Sequence, residues 1–356
     1  MADTILPGTG FNTYETQDKV LVGMSGGVDS SVTVRILQQQ GFAVTGAVIR
    51  FSPAHEPAVQ AAQEAARQLG VPCRVLDVQE QFEKEVVAPF CESYCRGETP
   101  NPCILCNPAV KFAALRQEAD RLGIPYIATG HYARVEADES GVCHVCRAVS
   151  TARDQSYMLY RLGQDILQRL ILPLGDFEKE DIRDMARDMG LACADAPDSM
   201  EICFIPDGDY AGYIQARGLA DRQGHFLAPD GTDLGPHLGV MHYTVGQRKG
   251  LGVALGRPVF IREIRADGNI QLADAQDAFF TQVPVTGLST ADGAPLAPGR
   301  YTVKIRSMAA PAPAVYDGAG LLTFDPPVRA PAPGQSAVFY RDDQVLGGGF
   351  IGRGGR

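Results

Sequence analysis

The sequence predicts an α/β protein: a parallel sheet covered by helices on both faces, then a smaller β-rich region and a C-terminal β-barrel. Three observations carry this expectation. An apolar run at 20–22 breaks into the turn Gly23-Met24-Ser25-Gly26-Gly27-Val28-Asp29-Ser30 and then opens an amphipathic helix. Apolar strands keep alternating with helical spacings through the first half of the chain, the pattern of parallel strands joined by crossover helices. From residue 207 the composition shifts: glycines are frequent, helices end after about Gln215, and short alternating runs dominate.

Taken in order, 32–40 reads as a helix stopped by Gly41, and 44–51 as a second strand. A helix over 58–69 ends at Gly70-Val71-Pro72, and 73–78 gives a third strand. The helix over 110–122 ends at Gly123-Ile124-Pro125, and 126–129 gives a fourth. Ligands of such sheets sit beyond the carboxyl ends of the strands, where both 25–30 and Thr129-Gly130-His131-Tyr132 fall. Between the third and fourth strands lies Thr99-Pro100-Asn101-Pro102-Cys103-Ile104-Leu105-Cys106-Asn107, whose prolines predict an extended loop ahead of the cysteines. A hairpin strand is expected over 141–154 and a helix over 177–189. Cys203 follows among apolar neighbours in a further loop. The Pro/Ala/Gly-rich stretches at 309–314 and 326–334 read as inter-strand loops.

The glycine turn is a phosphate site by chemistry. Its glycines let backbone N–H groups approach an anion closely, and the following helix aims its positive end at the same place. It lacks the lysine of a Walker loop, so no cationic side chain of the turn is placed for γ-phosphoryl transfer.

At 356 residues the chain should form two or three domains. It has no apolar stretch of ~18 residues and no secretory leader, which gives the expectation of a cytoplasmic protein without a membrane. Nine cysteines, an odd number, argue for reduced and partly chemical thiols rather than a disulfide framework. The formal charge of −10 does not announce a nucleic-acid partner, but a local basic face is compatible with it. Arg153, Arg248, Lys249, Lys304 and Arg306 are its candidates.

The turn Ser25-Gly26-Gly27-Val28-Asp29-Ser30-Ser31 resembles the PP-loop of the ATP pyrophosphatases, the adenine nucleotide alpha hydrolase-like fold. The chain as a whole resembles the tRNA-specific 2-thiouridylases of the MnmA/TrmU type. The resemblance rests on that loop, on Thr99-Pro100-Asn101-Pro102 with Cys106-Asn107, and on Thr129-Gly130-His131-Tyr132. Asp154-Gln155-Ser156-Tyr157, Ile202-Cys203-Phe204-Ile205, Thr244-Val245-Gly246-Gln247-Arg248-Lys249-Gly250-Leu251-Gly252 and Pro333-Gly334-Gln335-Ser336-Ala337-Val338-Phe339-Tyr340 complete it. It implies a PP-loop catalytic domain at 18–206, a small central domain at 207–277 and a C-terminal β-barrel at 278–356, while the polar, aperiodic residues 1–17 read as a loose extension.

The activity implied is ATP-dependent 2-thiolation of the wobble uridine of tRNA. AMP is transferred to the C2 oxygen, Mg²⁺ and the loop carry the departing pyrophosphate, and a persulfide supplies sulfur. By the resemblance, Cys203 carries the persulfide, Cys106 is its partner, and Asp29 serves the pyrophosphate and its metal. Gly23, Met24, Ser25, Gly26, Gly27, Val28, Asp29, Ser30, Ile49 and Gly130 contact ATP. Asn101, Pro102, Cys103, His131, Arg153, Asp154, Gln155, Arg306, Ser307 and Gln335 contact tRNA through its anticodon arm. The sulfur partner is a persulfide donor such as a cysteine desulfurase or a sulfur-relay protein. Many members have Asp where this chain has Cys103, so a second mechanism stays open here: Cys103, Cys106 and Cys203 as ligands of a [4Fe-4S] cluster. Two further readings stand beside these: another PP-loop adenylating ligase, and a non-catalytic, zinc-stabilised RNA-binding protein in which Cys143 and Cys146 join Cys103 and Cys106 as a four-cysteine site. A strand at 143–146 would turn those two thiols to opposite sides. Cys91 and Cys95 fit one face of a helix, and Cys73 and Cys193 read as small hydrophobes.

Overall fold

The computed structural model describes residues 18–191, 194 and 202–355, so the extension at 1–17, Cys193 and most of the loop ahead of Cys203 lie outside it. Strand β1 (Lys19–Gly23) runs into helix α1 (Val28–Gln39), and β2 (Ala43–Arg50), α2 (Glu56–Gln68) and β3 (Cys73–Asp77) follow. The chain then crosses back to β4 (Tyr126–Thr129), which pairs with the opposite side of β1. All these neighbours are parallel, and the short strand Leu170–Ile171 extends the sheet beyond β4. The order β3-β2-β1-β4 puts the reversal of direction between β1 and β4, where open α/β sheets bind ligands. At that edge Gly23 is the register partner of Thr129.

Helix α1 is apolar on two sides. Val34 and Leu37 pack with Val20, Val44 and Val48 of the sheet, while Val28, Val32 and Ile36 meet Ile182 and Ala186 of the helix Lys179–Asp188. That second contact brings the two helix N-termini to the same end of the sheet. The capping box of Glu178 and Asp181 fixes where the second helix begins.

The cysteine segment departs from expectation. Pro102 does not stop a helix; it starts one, at the first helical position where its missing N–H costs nothing. The Asn101 side chain caps it, accepting from the Cys103 N–H at 3.1 Å. Cys103 and Cys106 therefore sit on a helical turn (Pro102–Cys106), and the extended loop ends at Asn101. A wide π turn (Asn107–Lys111) then accommodates Pro108, which has no N–H to give a regular ladder, before the helix Phe112–Leu122 continues. The same device recurs at Glu83–Val87, just ahead of Pro89 in the helix Ala88–Cys95.

The hairpin is Ala133–Ala137 against Cys143–Arg147, earlier and shorter than the expected 141–154. Its second strand joins Gln344 through Cys146, so the hairpin is continuous with the C-terminal sheet. That sheet closes into a six-stranded barrel, in the order Phe279–Thr290, Leu321–Arg329, Ala312–Tyr316, Gly299–Lys304, Ser336–Arg341, Gln344–Ile351 and back to the first. Ala312–Tyr316 and Leu321–Arg329 correct the expectation of loops at 309–314 and 326–334. Pro326 and Pro327 fall where the register with Phe279–Thr290 shifts, so no ladder donor is missed. Between the two units a four-stranded sheet holds Val259–Ile264, Ile270–Asp274, His225–Leu227 and Asp233–Pro236. No helix among the described residues is long and apolar enough to cross a membrane.

Candidate active site

The phosphate half is built from its own turn. Gly26 takes φ +81°, and a Cβ there would lie 2.8 Å from the Ala61 Cβ and 2.9 Å from the Ala62 N, so α2 presses the turn into shape. Ser30 Oγ accepts from the Ser25 N–H at 3.1 Å and donates to the Gly27 carbonyl at 3.1 Å. Ser31 Oγ donates to the same carbonyl at 3.0 Å. Met24 is buried and extends the strand pairing through its N–H to the Ala47 carbonyl, 2.8 Å. Val28 is buried against Tyr132 and Leu174, and Ile49 is packed with Leu21, Ile104 and Leu115. Gly130 lies against the start of α1: a Cβ on it would stand 2.9 Å from the Asp29 carbonyl carbon and 3.0 Å from the Ser30 N.

Asp29 is the charged centre of this half. Lys179 Nζ donates to both its oxygens, at 2.8 and 2.9 Å, and the Tyr132 hydroxyl donates to Oδ1 at 2.8 Å. Lys179 is 4% exposed and stands 5.6 Å from the centre of the Tyr132 ring. Sequence reasoning missed Lys179. The spacing of 150 residues hides the pair, and the only local trace is a lysine opening a helix whose cap favours acids.

The thiol half is buried in aromatics. Cys106 packs in a cluster with Phe82, Phe90, Val110 and Phe204, and Phe204 is the neighbour of Cys203. Burial pushes the Cys106 thiol up to about 12, opposed by the charge of Lys111 and by the Lys111 N–H directed at the sulfur. Cys203 is exposed as a residue, yet protein atoms desolvate its thiol and raise it to about 11, with the charge of Cys103 acting the same way and Lys111 opposing. Lys111 thus lies within electrostatic reach of both thiols. Its Nζ stands 3.4 Å from Nε2 of His131, whose Nδ1 is 2.7 Å from Thr129 Oγ1. Desolvation, and then Lys111, hold His131 well below the ordinary histidine range, so its ring is neutral.

Cys103 is exposed while Cys106 is buried. Among the described residues no group of three or more His, Cys, Asp or Glu side chains is arranged to hold a metal ion. No such group supports Cys103, Cys106 and Cys203 as ligands of a [4Fe-4S] cluster. Cys143 and Cys146 form no zinc site with other described residues either, since they lie on one strand and Cys146 is buried.

Several residues expected at tRNA already have internal partners. Asp154 accepts from Ser156 N and Oγ at 3.1 and 2.9 Å and pairs with Lys304 at 3.9 Å. The Gln155 side chain accepts from the Tyr132 N–H at 2.9 Å. Gln335 Nε2 donates to the Thr99 carbonyl at 2.7 Å. The proposed basic face is smaller than expected, because Lys304 is 8% exposed and Arg306 donates to the carbonyls of Val245 and Ala330 at 2.7 and 2.8 Å. Arg153, Arg248 and Lys249 are exposed, and Ser307, Asn101 and His131 are half-buried.

Comparison with known proteins follows the same division of the chain. A family model described as the tRNA methyl transferase HUP domain matches residues 18–207. Models described as the tRNA methyl transferase PRC-barrel domain and the aminomethyltransferase beta-barrel domain match 213–272 and 285–351. The chain is 44% identical to a tRNA-specific 2-thiouridylase MnmA of Carboxydothermus hydrogenoformans, over 94% of this chain and 97% of that protein. It is 41% identical to the protein of the same name from Acetivibrio thermocellus, over 94% and 99% of the two chains. With that of Clostridioides difficile it shares 40% over 94% and 98%. Glycine cradle, cysteine loops and similarity across nearly the whole length agree, and the chain belongs to the MnmA family of tRNA-specific 2-thiouridylases, which are sulfurtransferases.

Proposed function

We propose that the protein replaces the C2 oxygen of the wobble uridine of tRNA by sulfur, using ATP. One observation carries the reading: Thr129-Gly130-His131-Tyr132 joins the two halves. Gly130 lies against the backbone of Asp29 and Ser30, Tyr132 bonds Asp29, and His131 reaches the lysine whose charge acts on both thiols. A phosphate cradle and a thiol pair sharing one four-residue hinge suit an activation step followed directly by a sulfur transfer.

In this reading the uridine C2 oxygen attacks the α-phosphorus of ATP and pyrophosphate leaves. Gly23, Met24, Ser25, Gly26, Gly27, Val28, Asp29, Ser30, Ile49 and Gly130 surround the nucleotide. The glycine cradle fits a triphosphate, and Mg²⁺ bound with ATP supplies Lewis-acid charge at the leaving pyrophosphate. The outer sulfur of a Cys203 persulfide then attacks C2, and AMP departs with the former uridine oxygen. Attack of the Cys106 thiolate on the Cys203 sulfur releases the thiouridine and leaves a Cys106–Cys203 disulfide, which a thiol reductant reopens. Lys111 offsets the desolvation of both thiols at these steps. A persulfide-carrying donor protein reloads Cys203.

Asn101, Pro102, Cys103, His131, Arg153, Asp154, Gln155, Arg306, Ser307 and Gln335 line the tRNA side, several of them by shaping loops that the anticodon arm meets. The units acting together are 18–206, 207–277 and 278–356, with 1–17 an extension, and the setting is the cytoplasm. The test is reconstitution with tRNA, MgATP and a persulfide donor. Thiouridine formed with stoichiometric pyrophosphate supports the reading; ATP turnover that amidates or ligates another substrate, with no thiouridine, would favour an adenylating ligase instead.

A further inference from the structure

We propose that Lys179 is the cation of the phosphate loop, held on Asp29 until ATP arrives and then given to the β and γ phosphates. The inference rests on reading the loop as an ATP site and names a residue of that site which the loop sequence does not contain. The turn itself has no lysine. The fold supplies one from a different element, the first residue of the helix Lys179–Asp188.

Burying an ammonium is costly unless it is paired and hydrogen-bonded, and Lys179 is 4% exposed. Asp29 meets that need with both oxygens. Asp29 is itself in the first turn of α1, where the helix end already favours a carboxylate, and it takes a further hydrogen bond from Tyr132. Three favourable partners therefore converge on one carboxylate: a helix N-terminus, an ammonium and a phenol. That is more positive charge than one carboxylate needs at a turn shaped for an anion, and it suits a guest of higher charge. When ATP comes with a divalent cation, Asp29 gains a second positive partner and Lys179 a second negative one. The lysine stem is flexible and its three donors can turn from carboxylate to phosphate.

An ion pair that serves only the fold makes a different prediction, and a double variant separates the two. Binding of MgATP, inorganic pyrophosphate and AMP to the full chain is measured by calorimetry, together with the melting temperature, for wild type, Lys179→Met, Asp29→Asn, the double variant and Lys179→Arg. Lys179→Met is expected to weaken MgATP and pyrophosphate by about 10- to 100-fold, the range of charge-assisted hydrogen bonds, and AMP by less than about threefold. Removing both charges together should bring the melting temperature back toward wild type while MgATP stays weak, and Lys179→Arg should retain most of the affinity. A double variant that binds MgATP as the wild type does overturns the proposal, as does an equal loss for AMP and ATP. If the wild type binds AMP and ATP equally weakly, the ATP reading of the loop falls and this assignment falls with it.

Discussion

The two halves of the site are stabilised in opposite ways. The phosphate half is held from within the first unit: residues 23–31 bond among themselves, Asp29 takes its other bonds from Tyr132 and Lys179, and α2 and Gly130 press on the turn. The thiol half is held from far away. Ahead of the cysteine helix, the Thr99 N–H donates to the Pro333 carbonyl at 2.8 Å, the Thr99 carbonyl accepts from Gln335, and the Thr99 hydroxyl meets that of Thr244 at 3.3 Å. Arg222 donates to the Cys95 carbonyl at 2.9 Å, and Arg353 reaches both the Ile264 and the Arg96 carbonyls. The barrel and the central sheet thus grip the segment that aims the thiols, whereas neither touches the phosphate turn in any of these bonds. The ATP half should survive damage to the C-terminal units, and the sulfur half should not.

That contrast can be broken or sharpened by substitution. Cys106→Ser should lower thiolation by more than about 1000-fold, as loss of a resolving nucleophile does, with MgATP affinity within twofold in the same calorimetric series. Gly130→Val should do the reverse: its Cβ meets backbone 2.9 Å away, so MgATP binding should fall by about 100-fold or more while Cys203 still accepts a persulfide, read by mass spectrometry. Gln335→Ala removes one bond to Thr99 and should reduce kcat for thiolation by about 5- to 10-fold with an unaltered Kd for MgATP. An equal fall in ATP affinity would mean the halves are not independent.

Two smaller effects concern the hinge and the exposed thiol. His131 is neutral in the folded protein because its pKa is held low, while the unfolded chain takes up a proton below about pH 6.5. Stability from this group is therefore present above that pH and lost as pH falls, with a limiting slope of about 1.4 kcal/mol per pH unit, and His131→Gln should flatten it in denaturant melts. Cys103→Ser should leave thiolation within about threefold, because Cys103 is exposed and the persulfide transfer between Cys203 and Cys106 does not use it. A large loss accompanied by iron in anaerobically purified wild type would favour the cluster mechanism instead.

What was legible in the sequence follows the same divide. The strand, glycine turn and helix of the phosphate half are written within a dozen residues, and the alternation of strands and helices implied a parallel sheet, though not its order. Pairings over long separations left no such trace. Lys179 and Gln335 have no local pattern that points at Asp29 or Thr99, because only the folded sheet and barrel bring them there. The prolines misled in a specific way. Pro102 was compatible with a helix after all, at its first position, and Pro326 and Pro327 sat in a strand at a register shift. Arg306 read as a surface cation from its charge alone, yet its guanidinium closes a contact between the barrel and the central unit.

The central claim is that ATP activates the uridine at one half while Cys203 delivers sulfur from the other, and Cys203→Ala separates the two most directly. With tRNA and MgATP under single-turnover conditions, pyrophosphate release and thiouridine are measured in the same reaction. The account predicts that pyrophosphate is still released at a rate within about threefold of wild type while no thiouridine forms. Thiouridine formed by the variant at the wild-type rate would contradict it.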